Sequence, residues 1–287
     1  MNKHHLPVTI LSNKPLLLKG AEQVFNLTTN FCFADRTNLP ESVRNAPDLV
    51  KNYKLCLESG NTDKARRLLT DISRLVFSEV DTTAKEMRKA GDKFRNVKRY
   101  LDSIPFLFAS VSLDKRDEDG KRLLEEMKWC IWRMSEVSKG MSAGDVSLQR
   151  VVKSHLIPLM REIMEDMKNT EEDEEAKVDE IIWALRWISE SEAAINEFQS
   201  AEAAHNERLI LMRGIFGDEA DKREHFGVIL KELGDLHAKA FHFVDAKSCY
   251  EQAIQVFRTT TDVDEEGRDE LTKACEELLR GVQHRIE

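Results

Sequence analysis

From Asp48 onward the apolar positions recur with helical spacing, and no stretch shows the strict alternation of a strand. Asp48 suits the N-cap of a helix beginning LVKNYKLCLE, which Gly60-Asn61 can end. Met87, Ala90, Phe94, Val97, Leu101 and Ile104 follow at spacings of 3, 4, 3, 4 and 3, a heptad-like seam for a partner helix. Leu123, Met127, Ile131, Met134, Val137 and Met141 continue the rhythm, weakened by Gly140 and Gly144. Leu148, Val152, Leu156, Leu159 and Ile163 resume it in one phase across Pro158, which predicts a bent rod rather than a helix stop. Val178, Ile181, Leu185, Ile188, Glu192, Ile195 and Phe198 mark a third rod running to Phe216, and shorter helices are predicted at about 222–242, 245–258 and 265–285. Trp129/Trp132 and Trp183/Trp187 each share a helix face, as core packing would require.

These patterns predict an all-α protein organised as an irregular N-terminal segment (1–48), a helical domain (49–258) and an acidic linker with a C-terminal helix (259–287). Pro7, Pro15, Pro40 and Pro47 break up the first segment into loops, with a short helix near Gly20–Thr29 and room for one short strand. Composition supports the helical reading, because 33% of residues are charged while only 12 Gly and 6 Pro occur in 287 residues. Five widely spaced cysteines without a CxxC are expected to be buried reduced thiols, which places the chain in the cytoplasm. The start MNKHHLPVTILSNKPLLLKG is broken by Lys14 and Pro15 and makes a poor signal peptide; no run approaches the length of a membrane span.

The net charge of −9 is unevenly distributed: residues 1–63, 64–170 and 171–287 carry +1, +5 and −15. A basic middle beside an acidic tail allows one region alone to meet an anionic surface. The run KEMRKAGDKFRNVKR (85–99) lacks interleaved aromatics and any recognition motif, so nucleic acid is not an expected partner.

Enzyme chemistry finds no foothold. The sequence contains no GxxxxGK[ST], strand-bound GxGxxG, HExxH or GxSxG. Glu202-x-x-His205 has the spacing used by di-iron bundles, but no second ExxH accompanies it. His237 and His242, read on one helix, lie five apart and diverge. No catalytic residue, cofactor or metal is therefore expected, and the chain is read as a non-enzyme.

Two resemblances suggest a function. LQRVVKSHLIPLMREIMEDMK (148–168) is similar to the middle-helix segment of BAR domains, and SEVDTTAKEMRKAGDKFRNVKRYL (78–101) resembles their first helix. LHAKAFHFVDAKSCYEQAI (236–254) vaguely resembles the end of their third. This resemblance implies a homodimeric bundle of long, kinked, antiparallel helices: a cytoplasmic scaffold peripherally associated with curved or anionic membranes. Its membrane-contact candidates are Lys85, Arg88, Lys89, Lys98, Arg99, Arg150, Lys153, Arg161 and Lys168. The acidic turn at 169–175 and the helices at 222–285 depart from that pattern.

LKELGDLHAKAFHFVDAKSCYEQAI (230–254) resembles one tetratricopeptide repeat, with GNTDKARRLL (60–69) a fainter echo. Leu230, Leu233-Gly234, Ala246 and Tyr250 match its motif, although His237 replaces the usual Tyr and the closing Pro is missing. The alternative it implies is an α-helical-repeat adaptor that binds a protein partner.

Overall fold

The computed structural model describes residues 51–77, 104–105, 108, 120–141 and 145–286, and all regular structure among them is helical. The fold is all-α. The chain divides into two compact units, residues 1–163 and 164–287.

In the first unit, residues 51–58 are helical and a turn with Gly60 at φ +75° leads into α1 (Thr62–Phe77). The Asn61 side chain accepts from the Lys64 N–H at 3.2 Å and caps α1. Helix α2 (Gly120–Lys139) ends at Gly140, and α3 (Val146–Val151) starts afresh with Asp145 as its cap, accepting from Leu148 N at 2.9 Å. The single rod expected over 121–168 is thus interrupted after Lys139. Glycine carries a high helix cost, and Asp145 offers the backbone a better start.

The chain does pass through Pro158 as helix. A π-turn at Val152–Leu156, closed by the Ile157 N–H on the Val152 carbonyl, joins α3 to α4 (Ile157–Lys168). Widening the turn just before a proline relieves the clash of its ring with the carbonyl one turn back, which in a regular helix contributes to a cost of about 3 kcal/mol. The expected stripe is buried at Val152, Leu156, Leu159 and Ile163. The π-turn packs on both α1 and α2. There buried His155 shares a 3.1 Å hydrogen bond with Tyr53 Oη, and Arg66 pairs with Glu162. Burial, with help from the Arg66 charge, lowers the His155 pKa to about 4.

The second unit contains α5 (Glu174–Ala194), α6 (Phe198–Phe216), a 3₁₀ turn (Gly217–Lys222), α7 (Glu224–Lys239), α8 (Phe243–Thr259) and α9 (Glu265–Ile286). Each helix packs chiefly on its neighbours in sequence, and the short connections make successive helices antiparallel. The rod expected over 174–216 folds back at Ile195–Glu197. Asn196 takes φ 64°, a left-handed position asparagine tolerates, and the Glu197 N–H closes the turn on the Glu192 carbonyl at 2.9 Å. The same device joins α7 to α8, with Phe241 at φ 65° and the His242 N–H on the His237 carbonyl at 2.8 Å.

Two glycine–aromatic contacts set the distance between α7 and α8. A Cβ on Gly227 would lie 2.5 Å from the Phe257 ring, and one on Gly234 would lie 2.6 Å from the Tyr250 ring. Gly234 and Tyr250 stand at the motif positions of the repeat-like segment. The Tyr250 hydroxyl donates to Asp235 Oδ1 at 2.7 Å, and burial, then this carboxylate, pushes its pKa up. Helix α9 covers the other side of α8 with Cys275 and Val282, so residues 265–286 belong to the same compact unit as α8.

The start of α7 is capped from far along the chain. Asp262 accepts from the Glu224 N–H at 3.0 Å, and the Thr260 hydroxyl donates to the Lys222 carbonyl at 2.7 Å.

Replacing Gly227 or Gly234 by Ala is expected to destabilise the protein by about 1–3 kcal/mol, as overpacking outweighs the helix propensity gained. Urea unfolding followed by circular dichroism measures this; a rise in stability at either site would contradict the close approach.

Candidate functional site

Three features of the second unit bring polar chemistry together. The first is a buried ion network joining α5, α6 and α7. Arg208 on α6 is 0% exposed and its Nη1 donates to Glu232 Oε2 at 2.6 Å. Arg186 on α5 reaches the other oxygen of Glu232 at 2.8 Å, and Arg208 Nη1 lies 2.9 Å from His205 Nδ1. Arg186 also lies over the Trp183 ring, which packs beside the His225 ring.

Burial first, then the Arg208 charge, lowers the His205 pKa to about 3. His205 is therefore neutral near pH 7, and its Nδ1 accepts from Arg208. His225 is shifted down for the same two reasons. Each guanidinium meets a different oxygen of the one carboxylate through a single nitrogen, an arrangement that suits a structural tie. Glu202-x-x-His205 accordingly contributes its histidine to the ion network.

The second feature is a groove of about 510 Å³ between the end of α6, α7 and α8. Phe226, Leu230 and Val256 form its floor, while exposed Gln252, whose amide donates to Ser248 Oγ at 3.2 Å, and exposed Gln255 line one wall. At its mouth Arg213 sits 5.0 Å over the Phe226 ring and 3.4 Å from Asp221. Arg258 pairs with Glu276 at 2.7 Å. Both guanidiniums thus have a carboxylate beside them. An apolar floor flanked by primary amides can hold an apolar side chain while hydrogen-bonding the backbone that carries it.

The third lies at the α7–α8 turn. Sequence spacing placed His237 and His242 on one helix pointing apart; the structure corrects this. Helix α7 ends at Lys239, and the Phe241 turn sets His242 as the cap position of α8, with the two rings 6.1 Å apart. Asp245 completes a trio whose ligand atoms all lie within 4.8 Å of one another.

The basic residues singled out in the sequence are placed as follows. Lys85, Arg88, Lys89, Lys98 and Arg99 lie outside the described residues. Arg150 on α3 and Lys153 in the π-turn are exposed, and Arg161 is half-buried. Lys168 pairs with Glu165 and Glu207, each at 2.9 Å. The four described cysteines, Cys56, Cys130, Cys249 and Cys275, are buried free thiols. No described helix is long and apolar enough to cross a membrane. Neither a protein-family model nor a curated protein sequence matches the chain.

Glu232→Gln leaves Arg208 buried without its counter-charge and is expected to cost about 3–5 kcal/mol, measured by urea unfolding. A cost below about 1 kcal/mol would show that the network carries little of the fold.

Stability should also fall as pH drops from 6.5 toward 4. Over that range the unfolded chain takes up protons at His155 and His205 that the folded chain refuses, their folded pKa values being about 4 and about 3. Each histidine contributes a slope of up to about 1.4 kcal/mol per pH unit. His155→Gln should flatten the profile of unfolding free energy against pH, and an unchanged slope would place the acid sensitivity elsewhere.

Proposed function

We propose that the protein is a non-enzymatic helical adaptor whose second unit binds an extended segment of a protein partner in the α6–α8 groove. The observation that carries this reading is the groove itself, an apolar floor bordered by exposed Gln252 and Gln255. The resemblance to a tetratricopeptide repeat supports it. Gly234, Ala246 and Tyr250 occupy the motif positions, and Ala246 and Tyr250 pack in the core beside Leu230. Residues 171–287 carry 14 Lys+Arg against 29 Asp+Glu, a net −15. That field speeds the approach of a basic segment, whose apolar side chain then occupies the floor.

A second reading, a dimeric BAR-like scaffold on anionic membrane, rests on the basic run 85–99 and the exposed Arg150 and Lys153. Co-sedimentation with anionic vesicles at low salt separates the two. Loss of binding on reversing Lys85, Lys89 and Arg99 together would favour the scaffold.

Peptide-display selection against the full chain should enrich segments with an aromatic or aliphatic anchor flanked by Lys or Arg. Gln252→Trp and Gln255→Trp fill the groove from exposed positions and should each weaken the selected peptides by at least about tenfold. Peptides that bind both variants as tightly as the parent chain would place the partner elsewhere and sink the groove reading.

A further inference from the structure

The α7–α8 turn is an uncommon place for an aromatic residue. Phe241 takes the left-handed position usually given to glycine, a conformation that costs an ordinary residue about 1–2 kcal/mol, yet its ring is 78% exposed. The strain is held by hydrogen bonds on either side, His242 N to His237 O at 2.8 Å and Ala240 N to Leu236 O at 3.0 Å. The result is geometric: two histidines five apart, which an unbroken helix would turn away from each other, come to face one side of the turn. Asp245, three residues into α8, stands on the same side as His242.

We propose that His237, His242 and Asp245 form a binding site for a divalent transition-metal ion of the Zn²⁺ class. Two imidazoles and one carboxylate favour Zn²⁺, Co²⁺, Ni²⁺ or Cu²⁺ over Mg²⁺ and Ca²⁺, which prefer oxygen ligands throughout. The ligand atoms lie within 4.8 Å of one another; a tetrahedral zinc site asks for about 3.3 Å between ligands. His242 and Asp245 are exposed and can close the difference by side-chain rotation, while His237, 8% exposed, supplies the fixed corner. Water takes the fourth position, as in other three-ligand sites.

Neighbouring cations are occupied elsewhere. Lys239 Nζ donates to the Ala193 carbonyl at 3.0 Å, and Lys247 points to Glu251 at 3.9 Å. Bound there, the ion links the last turn of α7 to the first turn of α8 and fixes the strained turn between them. The site lies at the start of α8 and the groove near its end, and they share no residue, so the two proposals stand or fall separately.

The full chain, stripped with a chelator, is titrated with Zn²⁺ by calorimetry and with Co²⁺ by absorption spectroscopy. One ion should bind per chain, with the comparatively intense visible d–d bands of four-coordinate Co²⁺, no thiolate-to-cobalt charge-transfer band, and a rise in melting temperature. His242→Ala and Asp245→Asn are surface changes that keep the helical circular-dichroism spectrum, and each should weaken binding by at least about tenfold. Absence of one-to-one binding, unchanged affinity in either variant, or a charge-transfer band implicating a cysteine would each overturn the assignment.

Discussion

The second unit depends on how closely α7 and α8 approach, and that distance is set by two rings resting on two glycines. Gly227 and Gly234 are seven residues apart on α7, as are Tyr250 and Phe257 on α8, so each ring meets bare backbone two turns along. An aromatic ring set against a glycine buries much area for little separation of the two helices. Once the pair is closed, the rest of the unit takes its position from it. Phe226 and Leu230 are brought level with Val256 to floor the groove, Tyr250 reaches Asp235, and α9 finds the outer face of α8. On the other side, Glu232 is carried on α7 toward Arg186 and Arg208, so the ion network inherits its geometry from the same contact.

The network and the interlock do different physical work. Apolar contact is forgiving in direction, and neighbouring helices could slide along one another at small cost. Arg208 and Arg186 on one carboxylate tolerate little sliding, because a displaced Arg208 would be left buried without its counter-charge. Glu232 therefore fixes the register in which α5, α6 and α7 meet.

Much of the helical content was legible from residue spacing, and the limits of that legibility have definite causes. Gly234, Ala246 and Tyr250 stood out as matches to a repeat motif, and the phase kept across Pro158 matched a helix that passes through it. The break at Ile195–Glu197 was hidden because Ile195 and Phe198 keep a spacing of three even though the chain reverses between them. The break after Lys139 had a visible warning in Gly140, outweighed by the apolar rhythm on either side. His237 and His242 were misread for a related reason: the α7–α8 turn has Phe241 where a glycine would have signalled it, although the repeat-like motif already required a turn there. The groove gave no signal, since Phe226, Leu230 and Val256 have ordinary core spacing. Of the two carboxylates that hold Lys168, Glu165 lies three residues away and is legible in the sequence, while Glu207, 39 residues away, is not.

The cap on α7 has a bearing on how the chain is made. Its donor N–H belongs to Glu224 and its acceptor to Asp262, with a separation of 38 residues. On a ribosome, the first turn of α7 leaves the exit tunnel well before the carboxylate that completes it. Until the α8–α9 connection follows, that helix end is open to water and the Glu224 N–H lacks its final partner. Closure at Asp262 and Thr260 ties the start of α7 to the segment that follows α8, so this hairpin is held at its open end as well as at its turn.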